Sequence, residues 1–155
     1  MMPVRLDAGS PAIPAMLALI RESFAYMEAR IDPPSSMHRL TERSLRESCA
    51  ACELWVIGGP PQACVVLTPK QDALYVGKLA VAESARGKGF ARMLLELAAE
   101  RAALLGLGWL ELQVRIELTE NHAAFARMGF AKTGETAHPG YGRPTSITMR
   151  RCLRP

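Results

Sequence analysis

The chain has 155 residues, enough for one domain over 1–155 with a core of its own. Hydrophobic residues make up 49% and charged residues 22%, the balance of a folded protein and not of a disordered chain. The net charge of +4 rests on arginines scattered along the sequence, with no basic run interleaved with aromatics; this argues against a nucleic-acid partner and for a local cationic pocket that takes a small polyanion.

In chain order, Val4–Leu6 reads as a short strand. Ser10-Pro11 opens a helix with Ile13, Leu17 and Ile20 on one face, continuing through Phe24 towards Arg30 until Asp32-Pro33-Pro34-Ser35-Ser36 breaks it. A second helix is expected over about 39–51, with Thr41 as N-cap and Leu45 and Cys49 facing inward. Cys49 and Cys52 have the spacing of a redox or zinc pair. There is no second pair and no histidine nearby, so these two, Cys64 and Cys152 read as small buried side chains and no metal is expected. Glu53–Ile57 and 62–68 form a hairpin across Gly58-Gly59-Pro60-Pro61. The strand Ala73–Val81 follows. In it Leu74 and Val76 are apolar on one phase, Leu79 and Val81 on the other, and the change falls at Gly77-Lys78. A β-bulge there bends the strand and frees backbone groups for a ligand; a strand buried on both faces is the other reading.

The helix after Gly89 takes Phe90, Met93, Leu94, Leu97, Ala98, Leu104 and Leu105 for its buried face, leaves Glu96, Glu100 and Arg101 outside, and ends at Gly106. Trp109–Arg115 is a strand with Leu110, Leu112 and Val114 alternating against Glu111 and Gln113. Thr119 is expected to cap a short helix to Met128, stopped by Gly129. Strands at 130–133 and 146–150 close the chain, joined by a loop over 136–144. No apolar run is long enough to span a membrane, and Arg5 and Asp7 interrupt any secretory leader pattern, so no membrane partner and a cytoplasmic location are expected.

The chemistry concentrates at Arg86-Gly87-Lys88-Gly89, between a strand and a long helix. A helix N-terminus offers unpaired N–H groups and partial positive charge, glycines let an anion approach the backbone, and two cations add full charges, which together suit a pyrophosphate. A P-loop fails because no glycine stands five residues before Gly87 and Gly89 replaces the required Ser or Thr. A dinucleotide fingerprint fits less well and stays a distant alternative: Glu111 lies about twenty residues on, as it requires, but Arg92 stands where its third glycine belongs and no second βαβ unit follows.

Arg86-Gly87-Lys88-Gly89-Phe90-Ala91 resembles the acyl-CoA motif R/Q-x-x-G-x-G/A of the GNAT acyltransferase superfamily, with Arg86, Gly89 and Ala91 at its fixed positions. The order of strands and helices and the Gly129-Phe130 pair extend the resemblance over essentially the whole chain. It implies an α+β fold: a central mixed, largely antiparallel twisted sheet of about six to seven strands flanked by helices and splayed at the acyl-CoA site. It also implies acetyl-CoA as co-substrate, a small-molecule or peptide amine as acceptor, and direct attack of the amine on the thioester; a GNAT-fold protein that binds acyl-CoA with little transfer is the alternative, and a homodimer is compatible with the family. Leu79, Ala80 and Val81 would meet the pantetheine and oxyanion; Arg86, Gly87, Lys88, Gly89, Phe90 and Ala91 the pyrophosphate; Asn121 and Phe125 would also border the coenzyme. Phe125 occupies the position where the family commonly has a Tyr acid, and Asn121 is displaced by about one turn from the usual Asn. Tyr141 is the substitute acid expected from the sequence, Glu111 and Glu117 are the carboxylate bases, and His122 and His138 the imidazoles of suitable pKa.

Overall fold

The computed structural model describes residues 1–153, without the side chains of residues 36 and 37. Strands β1 (Val4–Leu6), β2 (Glu53–Ile57), β3 (Ala63–Pro69), β4 (Ala73–Val81), β5 (Trp109–Arg115), β6 (Ala131–Thr136) and β7 (Ser146–Cys152) form one sheet in the order β1-β2-β3-β4-β5-β7-β6. Among the described residues only the β4–β5 pair is parallel. Its crossover is helix α3 (Phe90–Leu104), and a parallel pair needs such a long connection. Helices α1 (Ile13–Ala25) and α2 (Glu42–Ser48) precede β2, and α4 (Thr119–Arg127) follows β5.

Strand alternation sorts the core onto the two faces. Ile57, Val65, Leu67, Leu74 and Val76 pack on the face that meets Leu94, Leu95 and Ala98 of α3. Leu54, Val56, Cys64, Val66 and Ala80 pack on the other, against Ile13, Met16 and Ile20 of α1 and Leu45 of α2. Each such Leu or Ile side chain contributes about 1.5–3 kcal/mol when fully buried.

Most strand bounds match the sequence reading; the helices differ in instructive ways. α1 ends at Ala25, and 26–30 continue as tight turns bonded three residues back, as in Met27 N–H to the Phe24 carbonyl at 3.1 Å. The second expected helix divides into a 3-10 turn at Ser36–Arg39 and α2, and Thr41 does cap α2 through a reciprocal box with Ser44. In α3, Leu104 is 75% exposed and Leu105 43% exposed, contrary to expectation. Leu104 lies ten residues after Leu94, about 80° round the helix from it, and Leu105 lies beyond the last turn. Leu95 and Ala102 are buried instead. Arg101, expected outside, points back to the sheet and bonds the buried Glu53 through Nε and Nη2, each at 2.8 Å. Burial works against the Glu53 carboxylate, yet its hydrogen bonds from Arg101 and Trp55 outweigh it and hold its pKa below the ordinary value. Gly106 terminates α3 at a φ of 74°: its N–H bonds the Ala103 carbonyl and that of Leu107 bonds the Ala102 carbonyl. Thr119 is the first residue of α4 and not its cap; Leu118 holds that place and is anchored by burial.

Candidate active site

The β4–β5 ladder runs from Ala73↔Trp109 to Tyr75↔Glu111 and stops. Beyond it β4 keeps its pairing with β3 and β5 its pairing with β7, so the sheet opens between them. The slip anticipated at Gly77-Lys78 is present: Val66 faces Gly77 and Cys64 faces Ala80, two steps on β3 against three on β4. Lys78 takes the extra place at a φ of 53°, the only positive φ outside glycine among the described residues. Such a conformation costs an L-residue about 1–2 kcal/mol. The Ala82 N–H bonds the Gln62 carbonyl at 2.8 Å, so alternation turns the backbone of Ala80 towards β3 and that of Leu79 and Val81 into the opening. Cys64 lies beneath the bulge and donates to the Lys78 carbonyl at 3.5 Å; burial pushes its thiol pKa up to about 12.

The chain then turns through Glu83–Ala85 into α3. Gly87 and Gly89 have φ of 83° and 80°, and a Cβ at either would meet nothing within 4 Å; backbone handedness, not space, requires glycine here. No side chain caps α3, so its first N–H groups remain available to an anion. Arg86 stacks over the Tyr26 ring at 5.8 Å.

Two hollows meet at the opening. The outer groove, of about 490 Å3, is lined by Leu79, Ala80, Val81, Arg86, Ala91, Asn121 and Phe125, with α1 residues opposite, and the Arg30–Glu120 ion pair at 2.8 Å borders it. Gly87, Lys88 and Gly89 stand at the start of α3 outside this lining, and Phe90 turns its ring into the core. The inner cavity, of about 280 Å3, lies in the split itself. Phe24, Met27, Ile31, Leu112, Val114, Leu118 and Phe125 make it apolar, and Tyr75, Lys78, Gln113, Arg115 and His138 supply its polar groups. Phe125 also packs edge-on against Phe130, with ring centroids 5.8 Å apart.

Glu111 and Tyr141 do not join these groups. Glu111 sits on the closed part of the ladder, bound to Arg150 at 2.9 Å, because Arg150 on β7 is its direct cross-strand neighbour. Tyr141 is at the rim, where its hydroxyl donates to Asp32 at 2.6 Å; that bond raises its pKa. Glu117 accepts from the Asp32 N–H at 3.0 Å, and its Oε1 is buried with no partner among the described residues. His122 bonds the Arg115 carbonyl through Nε2 at 2.9 Å.

His138 does face the cavity. Thr145, fully buried, directs its hydroxyl to the Thr136 carbonyl at 3.4 Å and receives the His138 backbone N–H at 3.0 Å. Its oxygen therefore accepts from Nδ1–H of the ring as well, and this network assigns the free lone pair to Nε2. Burial, with help from Arg115, lowers the imidazole pKa. The sequence reading passed over Tyr75, whose ring lies over Gly77, where a Cβ would stand 3.4 Å from it. Burial first, then Glu111, raises its pKa, and the Gln113 N–H released by the split faces its oxygen. The tyrosine two residues before the phase change, on the same face as Gly77, was the available signal.

The family model for the acetyltransferase (GNAT) family matches residues 13–130. The chain belongs to this family. No curated protein matches it in sequence. Among solved structures, a GNAT-family protein from Desulfovibrio desulfuricans superposes with a TM-score of 0.76 at 13% identity, covering 98% of each chain. The ribosomal-protein-S18-alanine N-acetyltransferase of Escherichia coli gives 0.66 at 19% identity over 98% of this chain and 94% of its own. N-acetylglutamate synthase of Neisseria gonorrhoeae, complexed with coenzyme A and N-acetyl-glutamate, gives 0.70 at 21% identity over 100% of this chain and 36% of its own. These likenesses show the GNAT fold. Among the described residues no His, Cys, Asp or Glu cluster could hold a metal ion, and no helix is long and apolar enough to cross a membrane.

Proposed function

We propose that residues 1–155 act as one N-acetyltransferase domain that passes the acetyl group of acetyl-CoA directly to a primary amine. The observation that carries this is the continuity of the split: freed backbone at Leu79 and Val81, then an uncapped helix start flanked by Arg86 and Lys88. Acetyl-CoA supplies an activated thioester carbon. Leu79 and Val81 pair with the pantetheine as a strand would, and the N–H groups from Gly87 to Ala91 take the pyrophosphate. The Leu79 N–H, turned into the opening, stabilises the oxyanion as the C–N bond forms.

His138 takes the proton of the attacking amine at Nε2, its lowered pKa keeping it neutral at neutral pH. As the C–S bond breaks, Tyr75 gives its proton to the thiolate and regains one from solvent; its raised pKa keeps that proton in place beforehand. Phe125, which has no proton to give, leaves this task open on α4. The same residue favours a second reading, an acyl-CoA-binding sensor with little transfer.

Thermal shift and thiol release separate the readings. Acetyl-CoA at 100 times its Kd is expected to stabilise the fold by about 2.7 kcal/mol, with NAD giving no shift. Free CoA thiol should then appear on addition of an amine. Stabilisation by NAD alone overturns the acyl-CoA assignment. Stabilisation by acetyl-CoA without turnover on any amine or peptide selects the sensor.

A further inference from the structure

We infer that the acceptor is a small amine that also carries a carboxylate, such as an amino acid, and that Lys78 and Arg115 recognise that group. This rests on the transferase reading for the position of the acceptor. The charge pattern around the inner cavity carries it. Lys78 and Arg115 both line the cavity, and neither is bonded to a carboxylate among the described residues. Arg115 spends two N–H groups on the Pro33 and Pro34 carbonyls, at 2.7 Å and 3.1 Å. Its fork has five, so capacity remains for a carboxylate. Lys78 is held in a strained bulge, half-buried, with no carboxylate bonded to it among the described residues. A partly desolvated cation without a bonded counter-ion marks a place where one is expected.

The acids near the mouth are already engaged. Asp32 holds Tyr141 and Arg143, Glu28 holds His38, and Glu120 holds Arg30. Glu117, Glu28 and Asp32 all act on Arg115 through their charges, but none of the three lines the cavity. The phosphates of coenzyme A belong at the α3 end, and pantetheine brings no charge to the split. The unmatched positive charge thus falls to the acceptor, and a polyamine would meet repulsion there. The small size follows from the mouth. The segment after α1 and the loop between β6 and β7 are tied by Tyr141 to Asp32 at 2.6 Å and Arg143 to Asp32 at 3.2 Å, a tie that a polypeptide acceptor would have to skirt or break.

The test uses the full chain saturated with CoA or acetyl-CoA. The twenty amino acids are assayed for acetylation beside their primary amides, with spermidine and peptides beginning with Asp or Glu as further arms. Their N-acetylated acids and amides are titrated against the CoA complex, so that binding is read whether or not turnover occurs. At least one acid is expected to exceed its amide tenfold or more in kcat/KM and in affinity. Arg115→Gln and Lys78→Met should each shrink that ratio below about threefold while acetyl-CoA affinity stays within twofold. If no acid binds better than its amide, or if the ratio survives both substitutions, the inference fails. Faster turnover of spermidine or the peptides also overturns it and leaves the transferase reading standing. Tighter binding of an acid without turnover upholds the anion site and overturns the transferase reading.

Discussion

The two ends of the cleft are built from different materials. The end proposed to take the coenzyme is made of main chain: the freed backbone of Leu79 and Val81 and the open start of α3, with glycines at 87 and 89 to set the handedness. The end proposed to take the acceptor is made of side chains brought from far apart: Asp32 meets Tyr141 across 109 positions, and Arg115 meets Pro33 across 82. A main-chain site needs only the right conformation, and many sequences supply it. A side-chain site depends on which residues stand at each of several distant places. On the proposed reading, the first end needs little from the sequence beyond its conformation, and the second depends on this chain's own side chains.

Substitutions at each end should break the reaction in different ways. The largest effect is expected from His138→Gln, about a hundredfold or more in kcat with acetyl-CoA affinity unchanged. The pH profile sharpens this. A base with a lowered pKa is active when neutral, so the native rate should fall on acidification through a value below the usual 6.5, and the variant should lose that limb. Gly89→Val forces a β-branched residue to a φ of 80° and should cost about 2 kcal/mol of stability in thermal unfolding. It should also weaken acetyl-CoA binding roughly thirtyfold by disturbing the first turn of α3, as titration would read. Arg86→Ala with Lys88→Ala should raise the acetyl-CoA KM about tenfold and flatten its salt dependence, leaving the acceptor KM alone. Unchanged affinity would refute the pyrophosphate socket. The smallest effect belongs to Tyr141→Phe, which removes one bond at the rim of the cleft; a change of about threefold in the acceptor KM alone is expected.

The same division decides what could be read from the sequence. The strands, the bulge and the glycine turn were legible because each is a local pattern: alternation, a phase slip, a strand–glycine–helix order. Thr41 was legible as a cap, since its partner Ser44 is three residues away. Arg101 was misread because a charge on a helix looks outward unless its buried partner, here Glu53 across 48 positions, is known. Glu111 and Tyr141 have the residue types that proton transfer needs, but their partners lie far along the chain. β7 supplied Arg150 to the first and the segment after α1 supplied Asp32 to the second, and neither pairing has a local signature. His138 owes its tautomer to Thr145, which reaches it only because β6 and β7 pair across the loop.

The cysteine beneath the bulge also provides a chemical clock. Cys64 has no exposed surface and its thiol is held far from ionisation, so an alkylating reagent reaches it only when the packing of α1 over β3 and β4 opens. Its labelling rate therefore counts openings of the core between α1 and the bulged strands, without any introduced probe. Cys152, exposed at the end of β7, serves as the internal standard. A bound strand-like ligand along β4 would slow the first rate and leave the second untouched.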